Sequence, residues 1–205
     1  MRALFSLLVI AIAFGALYLT ERLIKSNNPP AITNEAIVAD ILLINSKVYL
    51  DEGSVERGKD RLDKAIEKIE VLKMAYDEES IKHIDIGLAR LYEIDEQLEG
   101  KVINISLVND AYILTLNALT YAQIREAELY FKQDQYLKAR KSLKNALTHI
   151  RNAIKLTDDA KVESEVKIYT DIDEIIENEQ MEKGVIIIML EKMLDELENL
   201  EIQFS

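Results

Sequence analysis

The chain has 205 residues, 49% apolar and 30% charged, a composition that suits a folded, well-solvated protein with a substantial core and excludes long disorder. With 37 acidic against 25 basic side chains the net charge is −12, and the one modest basic cluster, Lys138, Arg140, Lys141 and Lys144, reads as a solvated helix face, so nucleic-acid binding is not expected. No cysteine is present, which excludes a disulfide framework, a thiolate metal site, a lipoprotein attachment cysteine and a cysteine nucleophile.

Residues 3–20, ALFSLLVIAIAFGALYLT, carry no formal charge and lie between Arg2 and the set Glu21, Arg22 and Lys25. The run reaches the lower length for a bilayer-spanning helix, so residues 1–25 are expected to be a membrane anchor. A cleaved signal peptide is the rival reading, with small residues at Ala11-Ile12-Ala13 or Ala13-Phe14-Gly15; apolar residues continue to Leu19, past either site, which favours the anchor. An early anchor followed by an acidic domain predicts an inner-membrane protein with its domain extracytoplasmic, or a periplasmic protein if the segment is cut. Residues 26–33, SNNPPAIT, form a linker containing the chain's two prolines, Pro29 and Pro30. Beyond them every residue can donate a backbone hydrogen bond, which suits long helices.

Residues 34–205 are expected to be a mainly α domain of two related antiparallel helical hairpins in a bundle, covering about 34–101 and 102–205, with minor short strands. The two modules are related by a shift of 81 residues, which superposes Tyr49 on Tyr130, Leu62 on Leu143, Ala65 on Ala146 and Ile69 on Ile150. In the first hairpin Ile37, Ile41, Ile44 and Val48 recur at helical spacing, Asp51-Glu52-Gly53-Ser54 turns the chain, and Val55, Leu62, Ala65, Ile66, Ile69 and Leu72 share a second helix face. In the other, Leu114, Ala118, Tyr121, Ala122 and Leu129 face the core, Gln133-Asp134-Gln135 forms the turn, and Tyr136, Ala139, Leu143, Ala146, Leu147, Ile150 and Ile154 follow. Four stretches, 83–88, 102–107, 165–172 and 184–189, alternate apolar and polar residues with the period of a half-buried strand; for 102–107 a helix continuing to residue 131 competes. Leu190, Leu194, Leu197 and Leu200 form a helical stripe too short for a coiled coil.

The catalytic inventory is thin. Glycine-rich phosphate loops, GxSxG and HExxH are all missing, so no enzyme, no cofactor and no small-molecule substrate are expected. His149 reads as a solvated residue beside Ser142, Asn145 and Asn152. His83 and Asp85 would share a polar strand face, and Asp171, Asp173 and Glu174 are a compact acidic set; neither reaches a metal-ligand pattern, and no metal is expected. The aromatics are more suggestive: Tyr121, Tyr130, Phe131 and Tyr136 gather at one hairpin turn, with Tyr49 at the equivalent place in the first. They fill the helix junction or line a groove that holds a protein partner.

Ala127, Tyr130, Gln135-Tyr136, Lys138-Ala139 and Ala146 resemble one tetratricopeptide unit, although the 81-residue spacing differs from the 34-residue period of such arrays. The segment NISLVNDAYILTLNALTYAQIREAELYFKQDQYLKARKSLKNAL, with VYLDEGSVERGKDRLDKAIEKIE and the pairs Ile94-Asp95 and Ile172-Asp173, resembles the YfdX-like family of exported bacterial proteins. That resemblance spans roughly residues 48–200. It implies an envelope location and an association with stress tolerance, with no catalytic residues to carry over. The expected function is that of a membrane-tethered extracytoplasmic binding or scaffold protein. A subunit that self-associates through residues 190–200 and an acid-responsive periplasmic protein are the alternatives.

Overall fold

The computed structural model describes residues 35–100, 104–157 and 162–204; the expected anchor and linker lie outside them. Seven α-helices follow in order: α1 Glu35–Asp51, α2 Val55–Lys73, α3 Glu78–Glu99, α4 Ile105–Lys132, α5 Tyr136–Ile154, α6 Glu163–Glu177 and α7 Lys183–Phe204. None of these is long and apolar enough to cross a membrane.

The 28-residue α4 is the axle. Eighteen of its residues are buried, including the run Ala111–Ile124, more than one apolar stripe could supply. They are covered from several sides, because α1, α3, α5 and α7 all pack on this helix. Small side chains set the separations. A Cβ at Gly87 of α3 would fall 3.0 Å from the Cα of Thr115 in α4, so the two backbones meet where any larger side chain would be crowded. The Thr115 hydroxyl bonds back to the Ala111 carbonyl at 2.8 Å and needs nothing from α3.

The 81-residue shift extends to hydrogen bonds that apolar periodicity does not dictate. It carries the bounds of α2 onto those of α5. In the first turn the amides of Glu52, Gly53, Ser54 and Gly58 donate to the carbonyls of Val48, Leu50, Tyr49 and Ser54; in the second, Gln133, Asp134, Gln135 and Ala139 donate to Leu129, Phe131, Tyr130 and Gln135. All four bonds correspond. The left-handed residue is Gly53 (φ 74°) in one and Asp134 (φ 58°) in the other, an aspartate being among the few side chains that tolerate this conformation. A cation also recurs over the first tyrosine: Arg57 lies 6.0 Å from the Tyr49 ring centroid and Lys138 5.3 Å from that of Tyr130. One helix further on, Lys59 donates to Asp95 at 2.5 Å, and its counterpart Arg140 to the Ile176 carbonyl at 3.0 Å.

Within the described residues the alternating stretches are helical, apart from Asn104, which caps α4. Residues 83–88 lie in α3, 105–107 in α4, 165–172 in α6 and 184–189 in α7, and the described residues contain no strand; 101–103 lie outside them. Alternation over six residues places some apolar side chains on a helix's core face as readily as on a strand's: Ile84 and Leu88 are buried while Ile86 is exposed, a helical i, i+4 pattern.

The expected stripe of α1 is likewise corrected. Its core face is Ala39, Asp40, Leu43, Ser46 and Leu50, whereas Ile41 is 51% and Val48 47% exposed. α1 is apolar on more than one face, and packing selects the side that allows close approach and polar bridges. Ser46 Oγ donates to the Gly58 carbonyl and lies against Tyr112 Oη, both at 2.7 Å, tying α1 to α2 and α4.

Candidate functional site

A polar seam runs through the junction of α1, α4, α5 and the α2–α3 turn. At its inner end Asp40 and His149, both fully buried, meet with Oδ1 and Nδ1 2.7 Å apart, and Asn152 donates to Asp40 Oδ2 at 2.9 Å. A carboxylate on Nδ1 orients an imidazole and leaves Nε2 as its free end; that nitrogen is buried and has no hydrogen-bond partner among the described residues. Further out, Asn145 donates to Gln123 Oε1 at 3.2 Å, and Gln123 donates in turn to Tyr76 Oη. Burial first, then the nearby Glu126 and Asp40 carboxylates, push the Tyr76 hydroxyl well above the ordinary tyrosine value, against the opposing hydrogen bond from Gln123.

The seam opens into a cleft of about 300 Å³. One wall is Ala75, Tyr76, Asp77 and Ser80; the other is Ala122, Arg125, Glu126, Leu129 and Tyr130 on successive turns of α4, with Gln133 at its C-terminal cap. Its polar groups are held in place. Glu126 accepts from Ser142 Oγ at 2.7 Å and from Tyr130 Oη at 3.3 Å. Arg125 bridges Asp77 at 3.2 Å and Glu128 at 2.7 Å, and Glu128, itself buried, also accepts from Lys132 at 2.5 Å.

Asp77 holds the rim by capping α3, accepting from the Ser80 amide at 3.0 Å. Burial raises its pKa, but hydrogen bonds from Ser80 and Arg125 outweigh that and hold the carboxyl below the usual carboxylate range. A depressed folded pKa contributes stability that is present above the unfolded value of about 4 and is lost as pH falls through the folded one. Asp77→Ala is therefore expected to cost about 1 kcal/mol at neutral pH and to flatten the acid limb of the stability profile, as followed by urea unfolding at several pH values. A cost that stayed the same into strong acid would contradict this.

A second polar cluster joins α3, α4 and α7. His83 Nδ1 lies 2.7 Å from Glu201 Oε2, its ring packs on Tyr121 with centroids 3.9 Å apart, and Tyr121 Oη donates to Glu198 at 3.3 Å. His83 Nε2 and both amide atoms of the buried Asn117 have no partner among the described residues, and both residues border a small cavity there.

Of the sequence-predicted partner residues, the structure brings Tyr130 alone into the cleft wall. Phe131 is buried on the core side, in edge contact with Tyr136 at 5.8 Å, and Tyr136 is 45% exposed beyond the turn. Tyr121 is buried against His83, and Tyr49 lies at the other hairpin turn under Arg57. His149 is not solvated but at the inner end of the seam; the stripe of Ser142, Asn145, His149 and Asn152 is polar because it faces Asp40, Gln123 and Glu126. Asp85 pairs with Lys73 at 2.8 Å, away from His83's partner Glu201, and Asp171 pairs with Lys167 at 3.1 Å. Among the described residues no group of three or more histidines and carboxylates is placed to hold a metal. Sequence reasoning missed Tyr76, Gln123 and Glu126. The available signal was the polar stripe of α5, which needed polar partners if it was to be buried. Comparisons with protein-family models, curated proteins and solved structures return no match.

Proposed function

We propose that residues 35–204 form a non-enzymatic binding module that holds a segment of a partner protein in the cleft between the α2–α3 turn and α4. The observation that carries this reading is the cleft itself, where Tyr76 on the α2–α3 turn faces the half-buried Tyr130 and the hydroxyl-pinned carboxylate of Glu126 on α4 across a space already open to a ligand. Binding is favoured over hydrolysis because the Asp40–His149 pair meets no hydroxyl at Nε2 among the described residues. The apolar run 3–20 supports tethering to the inner membrane with the domain extracytoplasmic, and the YfdX-like resemblance supports an envelope, stress-related setting. Self-association through Leu190, Leu194, Leu197 and Leu200 is disfavoured because all four are buried.

Photo-crosslinking tests the reading. A benzophenone amino acid at Gln133, on the cleft wall, is expected to capture a discrete partner in cells expressing the full chain, and the same group at Glu174 of α6 is not. Tyr130→Ala should abolish the Gln133 product in a protein that still folds. Equal capture from both positions, or a product that survives Tyr130→Ala, would overturn the reading.

A further inference from the structure

We propose that the occupant of this cleft is a lysine side chain of the partner protein, with its ammonium on Glu126 and its methylene stem against Tyr76 and Tyr130. The inference rests on the reading of the cleft as a protein-binding site and adds the chemistry of what enters it.

Charge selects a cation. The cleft wall carries two carboxylates, Asp77 and Glu126, and one base, Arg125. Arg125 is already shared between Asp77 and Glu128, and Glu128 also holds Lys132. Glu126 takes part in no ion pair among the described residues; its contacts there are the hydroxyls of Ser142 and Tyr130. Two hydroxyl donors orient a carboxylate without neutralising it, so the cleft holds one negative charge with no ion-pair partner among the described residues. That charge is felt at both aromatic walls, since Glu126 is the foremost cause of the raised Tyr130 hydroxyl and the second cause, after burial, of the raised Tyr76 hydroxyl. The net charge of −12 adds long-range attraction for a basic segment.

Shape and polarity then favour lysine. Tyr76, Tyr130, Ala75, Ala122 and Leu129 give the walls apolar surface, which suits a four-carbon stem lying on aromatic rings with its charged head at a carboxylate. The cation already near Tyr130, Lys138, is not part of the cleft wall. Its counterpart Arg57 sits over Tyr49 in the first hairpin, so it belongs to the repeated turn and not to the site.

The test uses the full chain in detergent micelles, with isotope-labelled tyrosine rings assigned by Tyr76→Phe and Tyr130→Phe. The probes are the blocked tripeptide Ala-Lys-Ala and its norleucine analogue, which keeps the stem and lacks the ammonium. The lysine peptide is expected to shift the Tyr76 and Tyr130 signals saturably, and the norleucine peptide to bind about tenfold more weakly. Glu126→Gln, which keeps the side chain's shape but loses the charge and one of the two acceptor oxygens used by Ser142 and Tyr130, should lower the lysine peptide to the norleucine level while the signals of tyrosines outside the cleft, such as Tyr49, stay in place. Equal affinity for the two peptides, no saturable shift with the lysine peptide, or an unaltered Glu126→Gln protein would each overturn the proposal. The wild-type comparison of the two peptides needs no variant to fold. If the lysine peptide fails while Gln133 still crosslinks a partner in a Tyr130-dependent way, the lysine assignment falls and the binding module stands; if the crosslink fails as well, both fall.

Discussion

Asp40→Ala is expected to destabilise the domain by about 3–5 kcal/mol at neutral pH, read as a lower urea midpoint at unchanged slope. Asp40 and His149 are both fully inaccessible to solvent, and removing the carboxylate strands more than one partner. His149 Nδ1 and the Asn152 amide lose their acceptor together, in a place where water cannot take over without opening the packing of α1 on α5. A buried polar group left without a partner costs its full desolvation. Asp40→Asn, which keeps an acceptor oxygen of the same shape, should cost clearly less. A loss for Asp40→Ala within about 1 kcal/mol, the range of an ordinary exposed pair, would show that the pair does not hold α1.

Phe131→Ala is expected to cost a similar amount, about 3–5 kcal/mol, because the ring is 1% exposed and takes the place that Leu50 fills in the first hairpin. Its neighbour is the exposed control: Tyr136 is 45% exposed, and Tyr136→Ala should leave the denaturation midpoint nearly unchanged. Thermal or urea unfolding of the two variants side by side checks this. Comparable losses would mean that the turn, and not the Phe131 side chain, carries the energy.

The hairpins were legible because α2 and α5 each present a single apolar stripe, so the helical spacing of Leu62, Ala65 and Ile69, like that of Leu143, Ala146 and Ile150, is enough to mark them as core. The repeat at 81 residues was legible for the same reason and proves stricter than the sequence suggests, since Ser54 and Gln135 share no side-chain chemistry yet hold equivalent turn bonds. α1 was misread because it is apolar on more than one face, and periodicity alone cannot say which face wins. The seam stayed hidden for a related reason. His149 lies on a polar stripe, the usual mark of solvent, and only the polar residues facing it from α1 and α4 show why that stripe is buried. Tyr76 could not be placed beside Tyr130 from the sequence, because the two are 54 positions apart and meet only through the packing of α3 on α4.

The order of packing bears on how the chain assembles. α1 with α2, α2 with α3, α3 with α4, α4 with α5, α5 with α6 and α6 with α7 are all neighbours in sequence as well as in space, so most of the core closes through short loops, the topology associated with rapid folding. The Asp40–His149 contact is different: it joins residues 109 positions apart and cannot form until both hairpins exist. A contact of that separation is expected to form on the late side of the folding barrier, where a stabilising contact mainly slows unfolding, so Asp40→Ala should raise the unfolding rate more than it lowers the refolding rate, and the pair would act as a clasp on the lifetime of the folded state.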